Sequence, residues 1–155
     1  MDAIDRKILA LLQEDSSLAI SEIAARVGLS QTACWKRMQK LEASGVIMRY
    51  VALLSPEKLG LGLSVYVSIV AGEHSDDWLK HFTKSVAEMP QVVECYRMAG
   101  EVDYMLRVVV ADMSAFDNFY KRLIAIVPLR KVVSRFAMER VKSTTALPFP
   151  EPFTE

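Results

Sequence analysis

Cysteine is nearly missing from this chain. Cys34 and Cys95 are the only two, they stand far apart, and no CxxC spacing occurs. No disulfide framework is expected, and both residues read as small buried hydrophobes. Long apolar runs are missing as well. None approaches the roughly 18–20 residues needed to cross a bilayer. The opening MDAIDRKIL is acidic and soon charged, unlike a signal peptide. No membrane partner and a cytoplasmic location are therefore expected. Net charge is zero, with 19 Lys+Arg against 19 Asp+Glu, which excludes a protein that coats nucleic acid non-specifically. The chain has no glycine-rich phosphate loop, no HExxH and no nucleophile elbow, so neither an enzyme nor a bound cofactor is expected. His74 and His81 read as solvated histidines beside a helix rather than as metal ligands.

Hydrophobic residues make up 52 % of the 155, enough for one large or two small cores. The charge is distributed unevenly. Residues 51 to 110 hold five basic residues and eight acids, while both flanks are slightly positive. Any DNA contact is expected in the N-terminal part.

That part holds the most informative stretch, ISEIAARVGLSQTACWKRMQKLEASG, from Ile20 to Gly45. Ile23, Ala24 and Val27 give a short helix a small apolar face. Gly28 can turn left-handed and end it, and Ser30 can cap a second helix. Cys34, Met38 and Leu41 then face inward. Gln31, Thr32, Trp35, Lys36, Arg37 and Lys40 are left outside. This is the pattern of a helix-turn-helix whose second helix fits a major groove. An ordinary helical hairpin in a core shares much of the pattern. The surplus of base over acid on the outer face favours DNA. An amphipathic helix over Asp2–Glu14 precedes the motif. The extended run after Gly45 is where a winged variant places its hairpin, with Arg49 near the phosphates.

Pro56, Gly60 and Gly62 mark a change of texture. The reading is a DNA-binding domain over 1–50, a linker over 51–62 and a second domain over 63–155. Alternation from Leu63 to Val70 predicts a strand, and Asp76–Met89 a helix with Trp78, Leu79, Phe82 and Val86 on one face. Strands follow at Val92–Met98 and Asp103–Val110. A helix opens with a capping box at Ser114–Asp117, and a last strand spans Lys131–Lys142. The order β-α-β-β-α-β predicts a ferredoxin-like antiparallel sheet with both helices on one face. Tyr66, Tyr96, Met98, Leu106, Phe136 and Met138 are candidates for the other face, which then calls for a second copy. The proline-rich tail LPFPEPFTE is expected to be loose or packed on a partner.

Several segments together resemble one family. IDRKILALLQED, VGLSQTACWKRMQKLEASGVI, ALLSPEKLG, MAGEVDYMLRV, VADMSAF and FAMERVKSTTALP occur in the order and spacing of the Lrp/AsnC feast/famine regulators. CWKR, FYKR and FAME are most similar to a cysteine-responsive branch. The resemblance implies an α+β chain, with a winged helix-turn-helix followed by a βαββαβ ligand domain. It implies an operator in double-stranded DNA, a small amino acid as effector, and homodimers that assemble to octamers. It puts the effector at Met98, Gly100, Glu101, Asp103 and Tyr104, with Ser134 on the last strand. Gly100 permits close backbone approach to a carboxylate, and Asp103 can face an ammonium. A plain hairpin turn would account for the same two residues. One departure stands out: relatives often carry proline where this chain has Gln31 and Ala33, so an operator sequence does not transfer. The alternative function is a small βαββαβ metabolite-binding module or enzyme, with the N-terminal helices as an oligomerisation arm. The polar, basic face from Ser30 to Lys40 argues against it.

Overall fold

The computed structural model describes residues 1–149. Its contacts separate two units. The first is Met1–Leu53 together with the chain from Lys142, and the second is Leu54–Val141.

Three helices build the first unit. Helix α1, Ala3–Glu14, opens with a capping box in which an aspartate takes the place of the usual glutamate. Asp2 Oδ1 accepts from the Asp5 N–H at 2.8 Å, and Asp5 Oδ2 accepts from the Asp2 N–H at 2.9 Å. Helix α2, Ile20–Val27, ends at Gly28 with φ 73°. There the Leu29 N–H reaches the Ala24 carbonyl at 2.9 Å and the Gly28 N–H reaches Ala25. Those two bonds form a Schellman close, which a residue with a Cβ would strain. Helix α3, Gln31–Ala43, is capped by Ser30, whose hydroxyl accepts from the Ala33 N–H at 3.3 Å. Ile8, Leu9, Ile23, Ala24, Cys34, Met38 and Leu41 form the core between the three helices.

A charged clamp closes the surface above that core. Arg37 Nη1 on α3 donates to Asp2 Oδ2 at 2.6 Å and to Asp5 Oδ1 at 2.8 Å. The Asp5 N–H and then the Arg37 guanidinium hold the Asp2 carboxyl below its ordinary value. Burial pushes Asp5 up, but the Asp2 N–H and Arg37 outweigh it, so Asp5 also titrates low.

Residues 46–53 run on without strand pairing, so no hairpin wing forms there. The Tyr50 hydroxyl donates to Glu42 Oε1 at 3.0 Å instead and ties this segment back to α3. The chain from Lys142 belongs to this unit, although the sequence assigned it to the second domain. The last strand stops at Phe136, and the Ala137 N–H makes a closing bond to the Ser64 carbonyl of the first strand at 3.0 Å. Gln13 brackets the Leu147 backbone, donating to its carbonyl at 3.2 Å and accepting from its N–H at 2.6 Å. Phe149 packs on the helical core. The rest of the proline-rich tail, residues 150–155, lies outside the described residues.

The second unit has the expected β-α-β-β-α-β order: β1 Leu63–Ala71, α4 Asp76–Ala87, β2 Val92–Arg97, β3 Tyr104–Val110, α5 Met113–Ile126, β4 Leu129–Phe136. The sheet order is β2-β3-β1-β4, antiparallel throughout. Val65, Val67, Ile69, Leu106 and Val108 pack against Phe82, Val86, Phe119 and Leu123 of the two helices. Trp78 and Tyr104 both lie with Phe82, their ring centroids 5.0 and 4.7 Å from it.

Several local expectations are corrected. Helix α5 starts two residues earlier than the capping box implied, with Asp112 rather than Ser114 as cap, because the Asp112 carboxylate accepts from the Ala115 N–H at 2.8 Å. Leu106 faces the helices, and Phe136 meets Phe116 edge-on at 5.2 Å, so neither lies on the open face of the sheet. The β1–β4 pairing of Val65 with Phe136 fixes that parity. Cys34 is buried as expected, but Cys95 is exposed on the edge strand β2. The open face carries Tyr66 and Tyr96 beside polar pairs. Arg107 meets Glu94 at 2.7 Å, and Arg135 donates to the buried Ser68 hydroxyl.

Two outcomes follow from this packing. Phe82→Ala removes a wholly buried ring and should cost about 3–5 kcal/mol, read as a lower urea midpoint. A change under about 1 kcal/mol would show that the site collapses freely. Asp2 and Asp5 have lowered folded-state values, so their contribution is full above the ordinary carboxylate value of about 3.9. It is lost as pH falls through the lower folded values. The urea midpoint of the helical unit should therefore drop between about pH 5 and pH 2. Asp5→Asn should flatten that drop, and an equal drop in both proteins would acquit the clamp.

Candidate DNA interface and effector site

The geometry of α3 sorts the expected DNA residues into three groups. Ser30, Gln31 and Thr32 stand exposed at the start of the helix, and Trp35 follows one turn on with 48 % of its surface exposed. Lys36 and Lys40 project from the adjacent face, both exposed. Arg37 differs from all of these. It is half-buried, and two carboxylates take its charge. A phosphate approaching Arg37 would meet Asp2 and Asp5 first. Arg49 is exposed on the extended segment that Tyr50 anchors. Burial, then the bond to Glu42, pushes the Tyr50 phenol up to about 12, so this anchor keeps its proton across the physiological range.

The expected effector residues do not all come together. Met98, Gly100 and Glu101 are exposed in the loop between β2 and β3. The Met98 N–H donates to the Asp103 carbonyl at 2.8 Å and closes that loop. Gly100 has φ 129°, a value open to glycine and strained for other residues. Asp103 is held at both ends. Its N–H donates to the Ile69 carbonyl at 2.9 Å, and its Oδ2 accepts from the Ala71 N–H at 2.8 Å. Tyr104 is 4 % exposed, with its ring in the aromatic core, where it supports the loop from beneath. Ser134 pairs with Val67 and shares its helix-facing side of β4. The helices cover that side of the sheet, so one chain does not bring Ser134 and the loop to a common point.

The loop instead borders a recess of about 380 Å³ on the open face. Glu101 and Val102 form one wall, Ser68 and Val70 of β1 the floor, and Arg130, Lys131 and Arg135 the far side. Sequence reasoning missed these cations. The signal was available: alternation along β4 puts Lys131, Val133 and Arg135 on one face, opposite to Val132 and Ser134. The recess can hold a carboxylate against the cations and leaves acids at the loop for an ammonium. Among the described residues no group of His, Cys, Asp and Glu could hold a metal ion, and no helix is long and apolar enough to cross a membrane.

Comparison with known proteins agrees with this layout. The model of the AsnC-type helix-turn-helix domain matches residues 1–42, and that of the Lrp/AsnC ligand binding domain matches residues 64–147. The chain is 52 % identical to the DNA-binding transcriptional activator DecR of Escherichia coli, covering 96 % of this chain and 98 % of that protein. It is 48 % identical to the glutamate uptake regulatory protein of Zymomonas mobilis, over 97 % and 92 %. A crystal structure of an AsnC family regulator from Agrobacterium tumefaciens superposes with a TM-score of 0.93 at 57 % identity, covering 96 % and 97 %. A regulator of Neisseria meningitidis solved with L-Met superposes at 0.92 and 36 % identity, covering 96 % of each chain. With both family domains in order and full-length relatives this similar, the chain belongs to the Lrp/AsnC family and is a DNA-binding transcriptional regulator, not an enzyme.

Proposed function

We propose that this regulator couples operator binding to a small amino acid held beside the β2–β3 loop. The observation that carries the reading is the cationic recess bordered by Glu101 and Val102, the two residues before Asp103, which is fastened to β1. A free amino acid needs an anion site and a cation site within a few ångströms of each other. Arg130, Lys131 and Arg135 supply the first. The second oxygen of Asp103, rigid because Ala71 holds its neighbour, supplies the other with Glu101. Met98 and Gly100 shape the loop, and Tyr104 supports it. Ser134 would join only through a neighbouring copy. Names of similar proteins refer to glutamate, methionine and leucine, which supports the class of effector rather than one compound. Cysteine, suggested by CWKR, FYKR and FAME, is the first to try.

On the DNA side, Ser30, Gln31, Thr32, Trp35, Lys36 and Lys40 form the contact face, with Arg49 reaching the backbone, and Arg37 holds α3 against α1. The protein works in the cytoplasm as a homodimer that assembles to an octamer. Tyr66, Tyr96 and Met105 on the open face of the sheet support the dimer, since tyrosine and methionine are enriched at protein–protein interfaces.

Thermal-shift measurement with each free amino acid identifies the effector, since a ligand at 100 times its Kd stabilises by about 2.7 kcal/mol. Asp103→Asn keeps an acceptor for Ala71 and removes the charge. Calorimetry should then show the effector bound at least about tenfold more weakly, with gel-shift affinity for DNA unchanged. Full effector affinity in that variant would move the ammonium site elsewhere. Met105→Asp puts a carboxylate at the middle of the open face, between Ser68 and Tyr96. Light scattering should report a smaller assembly than the parent. An unchanged mass would show that this face stays free in the assembly.

A further inference from the structure

Gln31 and Trp35 lie one helical turn apart and border a shared recess with Thr32 of α3 and Ile20 of α2, about 230 Å³ in volume. Its lining is an amide, a hydroxyl with its methyl, an indole and an aliphatic side chain. No charge faces into it, although Lys36 and Lys40 stand exposed on the same helix. Half of a tryptophan surface is left in water at the first turns of a helix whose N-terminal end is the part that meets base edges. The one basic side chain between Lys36 and Met38 is spent on Asp2 and Asp5.

We infer that α3 reads an adenine next to a thymine through Gln31 and Trp35, and that Arg37 is a positioning residue which reads no base. The chemistry of the groove edge gives the match. Only thymine presents an apolar group in the major groove, its C5 methyl. Only adenine presents the acceptor and donor pair, N7 and N6, that a glutamine amide meets with two bonds. The recess offers an apolar floor for the methyl, made by Trp35, Ile20 and the Thr32 methyl. The Gln31 amide sits at its rim for the neighbouring base. Arginine would favour guanine, but Arg37 reaches a base only by leaving two carboxylates exposed and unpaired. Specificity in this helix therefore falls on an amide and an indole, and Lys36 and Lys40 supply charge to phosphates.

This inference rests on operator binding by α3. Full-length protein is used to select duplexes from a randomised pool at fixed salt. In the selected duplex, each thymine is then replaced by deoxyuridine, which lacks only the methyl, and each adenine by a deaza analogue lacking N7. An adenine–thymine step should be enriched in each half-site. Deoxyuridine at that thymine should weaken the parent about fourfold, the worth of one buried methyl. The deaza analogue at the adenine should weaken it about tenfold. Trp35→Ala should ignore the first change and Gln31→Ala the second. Arg37→Ala should select the same sequence with the same slope of affinity against salt, since a residue that neutralised a phosphate would lower that slope by about one on removal. Selection of guanine at the step, or indifference of the parent to both analogues, overturns the inference while leaving operator binding intact. A pool that yields no enrichment at all overturns operator binding by α3 itself.

Discussion

Strand β1 is hydrogen-bonded along both edges, to β3 on one side and β4 on the other, and its alternate residues Val65, Val67 and Ile69 are wholly buried. Everything in the second unit takes its parity from that strand. Because side chains alternate, a slip of one residue would send the valines to water and Tyr66 and Ser68 into the helices. Ser68 shows how tightly the register is specified. It is the only polar residue among the described ones to be fully buried, and Arg135 from β4 satisfies it across the pair. The same parity carries Arg135 and Lys131 to the open face and Ser134 away from it. The β2–β3 loop is fastened to β1 as well, through Asp103 to Ile69 and Ala71. A ligand pressing on that loop presses on the central strand.

Local signals in the sequence carried the element order and the helix-turn-helix. Gly28 and Ser30 act where their chemistry is strongest, at a left-handed turn and a cap, and both are legible within five residues of chain. Long-range pairing was not legible. The periodicity of α3 puts Arg37 outside, which is true of its own helix, but says nothing of Asp2 and Asp5, 35 and 32 positions earlier. Tyr104 followed the loop in sequence and looked like part of a site, yet its pleat turns it toward Phe82 and Trp78. Leu106 and Phe136 were assigned to the wrong face for a related reason. Alternation gives two faces but not which one the helices cover, and only the cross-strand register decides that. The cations of the recess escaped because they belong to β4, far in sequence from the loop they face.

A chain with no net charge binding DNA is consistent with this layout. Phosphates respond to the local arrangement of charge and not to its sum. Around α3 the acids are either paired with Arg37, as Asp2 and Asp5 at the start of α1 are, or held by neighbours, as Glu42 is by Gln39 and Tyr50. Lys36 and Lys40 border the same recess as Asp2 and Asp5, which give their hydrogen bonds to Arg37. Placing the neutralising carboxylates on α1 also lets one guanidinium fix the angle between two helices that share a small core. The balance of attraction and structure thus sits in the first turn of the first helix.

The return of the chain to the helical unit has a temporal consequence. A protein emerges from the ribosome N-terminus first, at about 5–20 residues per second, and its domains tend to fold as they appear. Here α1, α2 and α3 emerge first, yet Leu147, which Gln13 brackets, and Phe149, which packs on their core, are among the last described in the chain. The sheet is made in between. The DNA-reading unit therefore waits, partly uncovered, while the sensing unit is synthesised, and it reaches its final packing only once the whole sensor exists.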